Sequence, residues 1–150
     1  MLLFNQNNHS HQGVLTYLEE NHEFDSNPKI NSDITLLVGY INIGFDSETK
    51  KATQIWGFHH NFNWINKKLN QPLFSRGEIK LDIEIAPGDS KKVKEATNWH
   101  TFYDSANGWI KFGNDLDTSK THNIEFFTNT VMSIDNDRRI AALWLKPEFK

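Results

Sequence analysis

From Glu78 to Ile85 the chain alternates without a break, with Ile79, Leu81, Ile83 and Ile85 set against Glu78, Lys80, Asp82 and Glu84. Side chains two apart share one face of a strand, so this run predicts a strand with one face in a core and one in water. Pro87-Gly88 ends it. Ile34 to Phe45 is apolar at Leu37, Ile41, Ile43 and Phe45, and also at Leu36, Val38 and Tyr40 before Asn42 and Gly44. That pattern reads as one strand buried on both faces at its start and on one at its end. Asp46 to Lys50 is a polar hairpin connection, and Lys51 to Phe58 is the return strand.

Residues 59 to 77 break the rhythm and read as a long loop, with a helical turn near Trp64 to Leu69. Lys91 to Ala96 is a charged connection. Asn98 to Asn114 gathers five aromatics around Ser105-Ala106-Asn107-Gly108, a turn signal. Strand parity then puts Phe102, Ile110 and Phe112 on a core face, with His100 beside them, and Trp99, Tyr103 and Trp109 on the other. Asn123 to Ile134 and Arg138 to Leu145 flank the turn-forming Asp135-Asn136-Asp137 as a terminal hairpin. Ile124, Phe126, Met132 and Ile134 share one face of it.

The first 32 residues read as a polar lead-in with one short helix, capped at Ser10 and striped by Val14, Leu15, Tyr17 and Leu18. Asn27-Pro28 marks the break after it. The elements together predict a single, mainly β domain over residues 1–150. Its expected architecture is an antiparallel β-sandwich or a partly open barrel of about seven strands, with a short N-terminal helix.

Composition changes this picture in few places. A chain of 150 residues suits one domain with a core of its own, and 11 Phe with 5 Trp supply large apolar areas from few positions. The 17 Asn have their simplest source in an AT-rich genome. No run approaches the roughly 18 apolar residues a membrane-spanning helix needs. Met1-Leu2-Leu3-Phe4 turns polar at Asn5 without the apolar core of a signal peptide, so a cytoplasmic location is expected. Absence of cysteine excludes disulfides, thiol catalysis and thiolate metal sites. A net charge of −3 with scattered lysine pairs disfavours nucleic acid as a partner.

Candidate chemistry is sparse. The seven His show no H-E-x-x-H spacing, so no metal site and no cofactor are expected. His100 has Asp104 as an acid–base partner, but a His on an apolar face more often serves structure. No G-x-S-x-G elbow or phosphate-cradling glycine loop occurs. Asp115-Leu116-Asp117 and Asp135-Asn136-Asp137 are oxygen-rich, and turn formation accounts for both. Glu78, Asp82 and Glu84 read as the wet face of their strand.

The aromatics remain. Trp64, Trp99, Tyr103 and Trp109, with His59 and His60 at the start of the long loop and Phe62 as a rim, are the candidate ligand-binding residues. The expectation is a non-catalytic binding or interaction protein, its partner a protein or a small molecule. The alternative is a hydrolase or isomerase acting on a sugar-like or other polar small molecule, with His100, His59 or His60 working with Asp104 or Glu125. Pairing of an exposed sheet edge makes a homodimer a further expectation.

Overall fold

The structure, a computed structural model, describes residues 1–114 and 120–150. Alternation and turn chemistry make strands almost throughout. The first eight are β1 (Leu2–Gln6), β2 (Val14–Leu18), β3 (Glu23–Asn27), β4 (Ile34–Val38), β5 (Ile41–Phe45), β6 (Ala52–Phe58), β7 (Ile65–Asn66) and β8 (Ser75–Leu81). There follow β9 (Ser90–Lys92), a 3₁₀ turn over Lys94–Asn98, β10 (His100–Tyr103), β11 (Ile110–Gly113), β12 (His122–Phe127), β13 (Thr130–Ile134), β14 (Ile140–Leu145) and β15 (Glu148–Phe149).

They form two sheets, one in the order β1-β8-β12-β13-β14-β11-β10-β7 and the other β15-β2-β3-β6-β5-β4-β9. Neither closes into a barrel. Both are mixed rather than antiparallel throughout: β8 pairs with β12, β7 with β10, β15 with β2 and β9 with β4 in parallel. The main core lies between the sheets. Leu2, Ile79, Ile124, Met132, Leu143 and Ile110 come from the first, and Tyr17, Phe24, Leu36, Ile43 and Ile55 from the second. No helix among the described residues is long and apolar enough to cross a membrane.

The expected N-terminal helix is a strand. Val14, Leu15, Tyr17 and Leu18 fit a helical stripe and an extended segment equally well, and pairing decides between them. β2 runs antiparallel to β3 from Val14 opposite Asn27 to Leu18 opposite Glu23. Leu15 and Tyr17 then both face the core, 2% and 0% exposed. The polar lead-in thus holds three strands.

Two further segments expected as single strands fold back on themselves. Gly39 (φ 62°) opens a two-residue turn with Tyr40, splitting Ile34–Phe45 into β4 and β5. Glycine reaches that conformation without strain, and the turn matches strand twist. Asn129 (φ 58°) closes the two-residue turn Thr128-Asn129 between β12 and β13. The three strands of the lead-in, the short edge strands β7, β9 and β15, and these two splits raise the count from about seven to fifteen among the described residues.

The aromatic hairpin has its faces differently shared than parity predicts. Thr101 lies opposite Phe112 and Tyr103 opposite Ile110, while Phe102 is opposite Lys111. Trp99, Tyr103, Ile110 and Phe112 therefore belong to the main core, and Phe102 and Trp109 to the outer face. A one-residue change of register moves every side chain of one strand across the sheet.

On that outer face Phe102, Trp109, Val131, Ala142 and Trp144 make a second, smaller core with Leu69. The segment between β7 and β8 straps it down. The Leu69 amide donates to Asp104 Oδ2 (2.9 Å), Trp109 Nε1 to Gln71 Oε1 (3.1 Å), and Asn123 Nδ2 to the Leu73 carbonyl (3.2 Å).

Candidate functional site

One cleft of about 470 Å³ opens at the end of the sandwich where the β4–β5 turn, the end of β6, the 3₁₀ turn and β10 meet. Of the six residues singled out from the sequence, His59, His60, Trp64 and Trp99 line it. Tyr103 sits behind Trp64, ring centroids 5.5 Å apart, and reaches Phe149 at 5.6 Å. Trp109 is elsewhere, 3% exposed in the second core.

His59 is the hinge of this arrangement. It follows β6 directly, and its amide donates to the His22 carbonyl at 2.7 Å. Its own carbonyl accepts from the Tyr17 hydroxyl at 2.6 Å, and its ring Nε2 lies 2.9 Å from Thr101 Oγ1 on the other sheet. The imidazole is edged against Phe112 at 4.7 Å and flanked by Phe24 and Trp64 at 5.9 and 6.1 Å. Burial, with His60 beside it, pushes its pKa down to about 4, so the ring is neutral at ordinary pH.

Trp64 packs on Tyr17 at 5.2 Å, and Trp99 meets Phe112 edge-on at 5.3 Å, giving the cleft aromatic walls. Two nitrogens closed off from solvent on these walls, His60 Nδ1 and Trp64 Nε1, have no hydrogen-bond partner among the described residues. Buried polar groups are usually paired, so each unpaired one needs a reason. Outside the mouth the rim is aromatic as well. Phe62, 74% exposed, stacks on His60 at 5.4 Å, and Tyr40, 72% exposed, meets Phe58 at 6.0 Å.

The carboxylates expected to partner a histidine are occupied otherwise. Asp104 accepts from the amides of Leu69 and Ala106, each at 2.9 Å, which hold its carboxyl below the usual range. Glu125 accepts from the Asn129 amide at 3.2 Å. His100 does line the cleft, but its ring contact is with Phe102 at 6.4 Å. Among the described residues no three His, Asp or Glu side chains gather as a metal ion would require. Asp115-Leu116-Asp117 lies outside the described residues, and Asp135 works as a turn residue, accepting from Asp137 and Arg139 amides at 2.9 Å.

A larger groove, about 610 Å³, lies on the second sheet beside Trp56. Its polar groups are spent on holding the segment after β3. Gln54 accepts from the Ile30 amide (2.9 Å) and donates to the Pro28 carbonyl (2.8 Å), Asp25 pairs with Lys29, and Ser32 with Thr53. Two further buried nitrogens without a partner among the described residues, His22 Nδ1 and Trp144 Nε1, belong to the lining of neither cleft.

Sequence reasoning missed Tyr40, Lys92 and Thr97 in this lining. For Tyr40 a signal existed, because a large ring in a Gly-led turn gains nothing from turn chemistry. No family model matches this chain, and no curated protein is significantly similar to it.

Proposed function

We propose that this chain is a non-catalytic binding protein whose ligand seats in the cleft between His59, Trp64 and Trp99. The observation that carries the reading is the concave cleft lined by His59, Trp64 and Trp99, with exposed rings at its rim. Ligand sites are commonly concave and mostly apolar, with a few polar groups that fix orientation, and a volume near 470 Å³ suits a small molecule. The exposed rings of Tyr40 and Phe62 extend the contact surface at the rim.

A small-molecule screen by two-dimensional NMR tests this. Binders are expected to shift the indole N–H signals of Trp64 and Trp99 and leave that of Trp109 in place. Trp64→Ala is expected to weaken them. Hits that shift only Trp109, or that bind the Trp64→Ala variant unchanged, count against the cleft.

One contact favours a second reading, a hydrolase. His59 Nε2 and Thr101 Oγ1, 2.9 Å apart, have the spacing of a base and a nucleophile. A base with a pKa near 4 is weak at neutral pH, and no carboxylate orients it among the described residues. Hydrolysis of polar esters lost equally in Thr101→Ala and His59→Gln would move the assignment to this alternative.

A further inference from the structure

Resting on the binding reading above, we infer that the cleft selects an anion: a flat aromatic or similarly planar body carrying a carboxylate or another acidic oxygen group. Two independent features of the lining point the same way.

The first is charge. Lys92 is the one Lys, Arg, Asp or Glu among the described residues that line the cleft. It ends β9, which pairs in parallel with β4 and brings Lys92 opposite Leu37 at the mouth. Lys92 makes no salt bridge among the described residues. A cationic ligand would meet repulsion with no carboxylate to offset it, whereas an anion would gain a partner.

The second is shape. Trp64 and Trp99 line the cleft, with Phe112 between Trp99 and His59. Such walls accept a planar apolar body by stacking and edge contacts. A flexible aliphatic acid would use the charge and leave the rings unmatched.

Three probes of one shape and different charge test this: naphthylacetate, its neutral amide, and naphthylethylamine, titrated into the full chain and its variants by NMR. The acetate is expected to bind tightest and the amine weakest, with a step of up to about fivefold between them, as one ion pair with an exposed lysine provides. The Trp64 and Trp99 indole signals are expected to shift on binding of the acetate. Lys92→Glu, an exposed change, is expected to abolish or invert the order. Equal affinities, or tightest binding of the amine, overturn the anion inference, and continued weakening by Trp64→Ala would then leave the binding cleft itself standing. If no probe shifts the cleft resonances at millimolar concentration, both readings fall.

Discussion

His59 Nε2 and Thr101 Oγ1 meet at 2.9 Å across the gap between the two sheets, the first following β6 and the second within β10. The imidazole joins the sheets at the mouth of the cleft and is held neutral by the apolar rings around it. Structure and site are therefore linked through one titratable side chain.

Acid should loosen this junction. His59 is neutral in the folded chain down to about pH 4, whereas in the unfolded chain it gains a proton near its ordinary value of 6.5. Between those limits the unfolded state binds one more proton, so stability is full above pH 6.5 and falls as the pH drops towards 4. The slope from this group is about 1.4 kcal/mol per pH unit. Urea midpoints at several pH values check it, and His59→Gln should flatten the profile over that window. An unchanged slope in the variant would assign the acid sensitivity to other groups.

Tyr17 makes the opposite prediction at alkaline pH. Burial, aided by the Glu19 carboxylate, pushes its phenol up to about 12, and its hydroxyl donates to the His59 carbonyl at 2.6 Å. The folded state therefore holds this proton after the unfolded chain has lost it near 10. Its contribution to stability is complete below pH 10 and disappears as the pH rises towards 12. Tyr17→Phe should cost about 1–2 kcal/mol at neutral pH, because the His59 carbonyl loses its donor. Ultraviolet titration should then lack the late phenolate step that the parent shows.

Much of the fold could be read from the residues, and the losses have physical causes. The strand expected over Glu78 to Ile85 is met as far as Leu81, with Ile79 and Leu81 in the core, but it begins at Ser75, inside the expected loop, and Asp82 to Ile85 lie outside it. Ile124, Phe126, Met132 and Ile134 do share the core, though a turn at Thr128-Asn129 separates them into two strands. Parity failed in the aromatic hairpin because residue types announce a turn without stating how many residues it consumes. Asp104 pairs with Trp109, its amide donating to the Trp109 carbonyl at 3.0 Å, which offsets the two strands by one. For the same reason Trp109, chosen alongside Trp99, lies across the sheet from it. His59, His60 and Trp64 come from one segment and Trp99 from a distant one, and their convergence depends on strand order, which hairpin patterns do not encode.

The N-terminal strand is tied by a charged cluster that gives a third pH effect. Glu78 pairs with Lys51 and accepts from Asn7 Nδ2 at 2.8 Å, with His9 Nδ1 at 3.3 Å. Lys51 is the main cause of a carboxyl pKa lowered to about 2, from an ordinary 4.5. This contribution is present above pH 4.5 and is lost as the pH falls towards 2. Glu78→Gln should cost about 1 kcal/mol at pH 7 and raise amide exchange in β1, which lies on β8 at the edge of the first sheet. Equal exchange in β1 and in its interior neighbours would show that the cluster does not hold the edge.

Trp64 and Trp109 separate binding from stability. Trp109 is 3% exposed, edge-on to Trp144 at 6.5 Å and to Phe74 at 6.0 Å, under the strap that covers the second core. Truncating a ring so enclosed leaves a cavity, and Trp109→Ala should cost about 3–5 kcal/mol. Trp109→Phe keeps most of the volume, loses the bond to Gln71, and should cost nearer 1–2 kcal/mol. Trp64 is only half-buried, and its indole N–H has no partner to lose, so Trp64→Phe should be close to neutral for stability. Binding should reverse the ranking: Trp109→Phe retains parental affinity for a cleft ligand while Trp64→Phe weakens it, since the smaller ring covers less of the ligand. Thermal midpoints together with ligand titrations on the two Phe variants measure both quantities on folded protein. If Trp109→Phe loses affinity as much as Trp64→Phe, the ligand is held on the outer face of the first sheet and the cleft is structural.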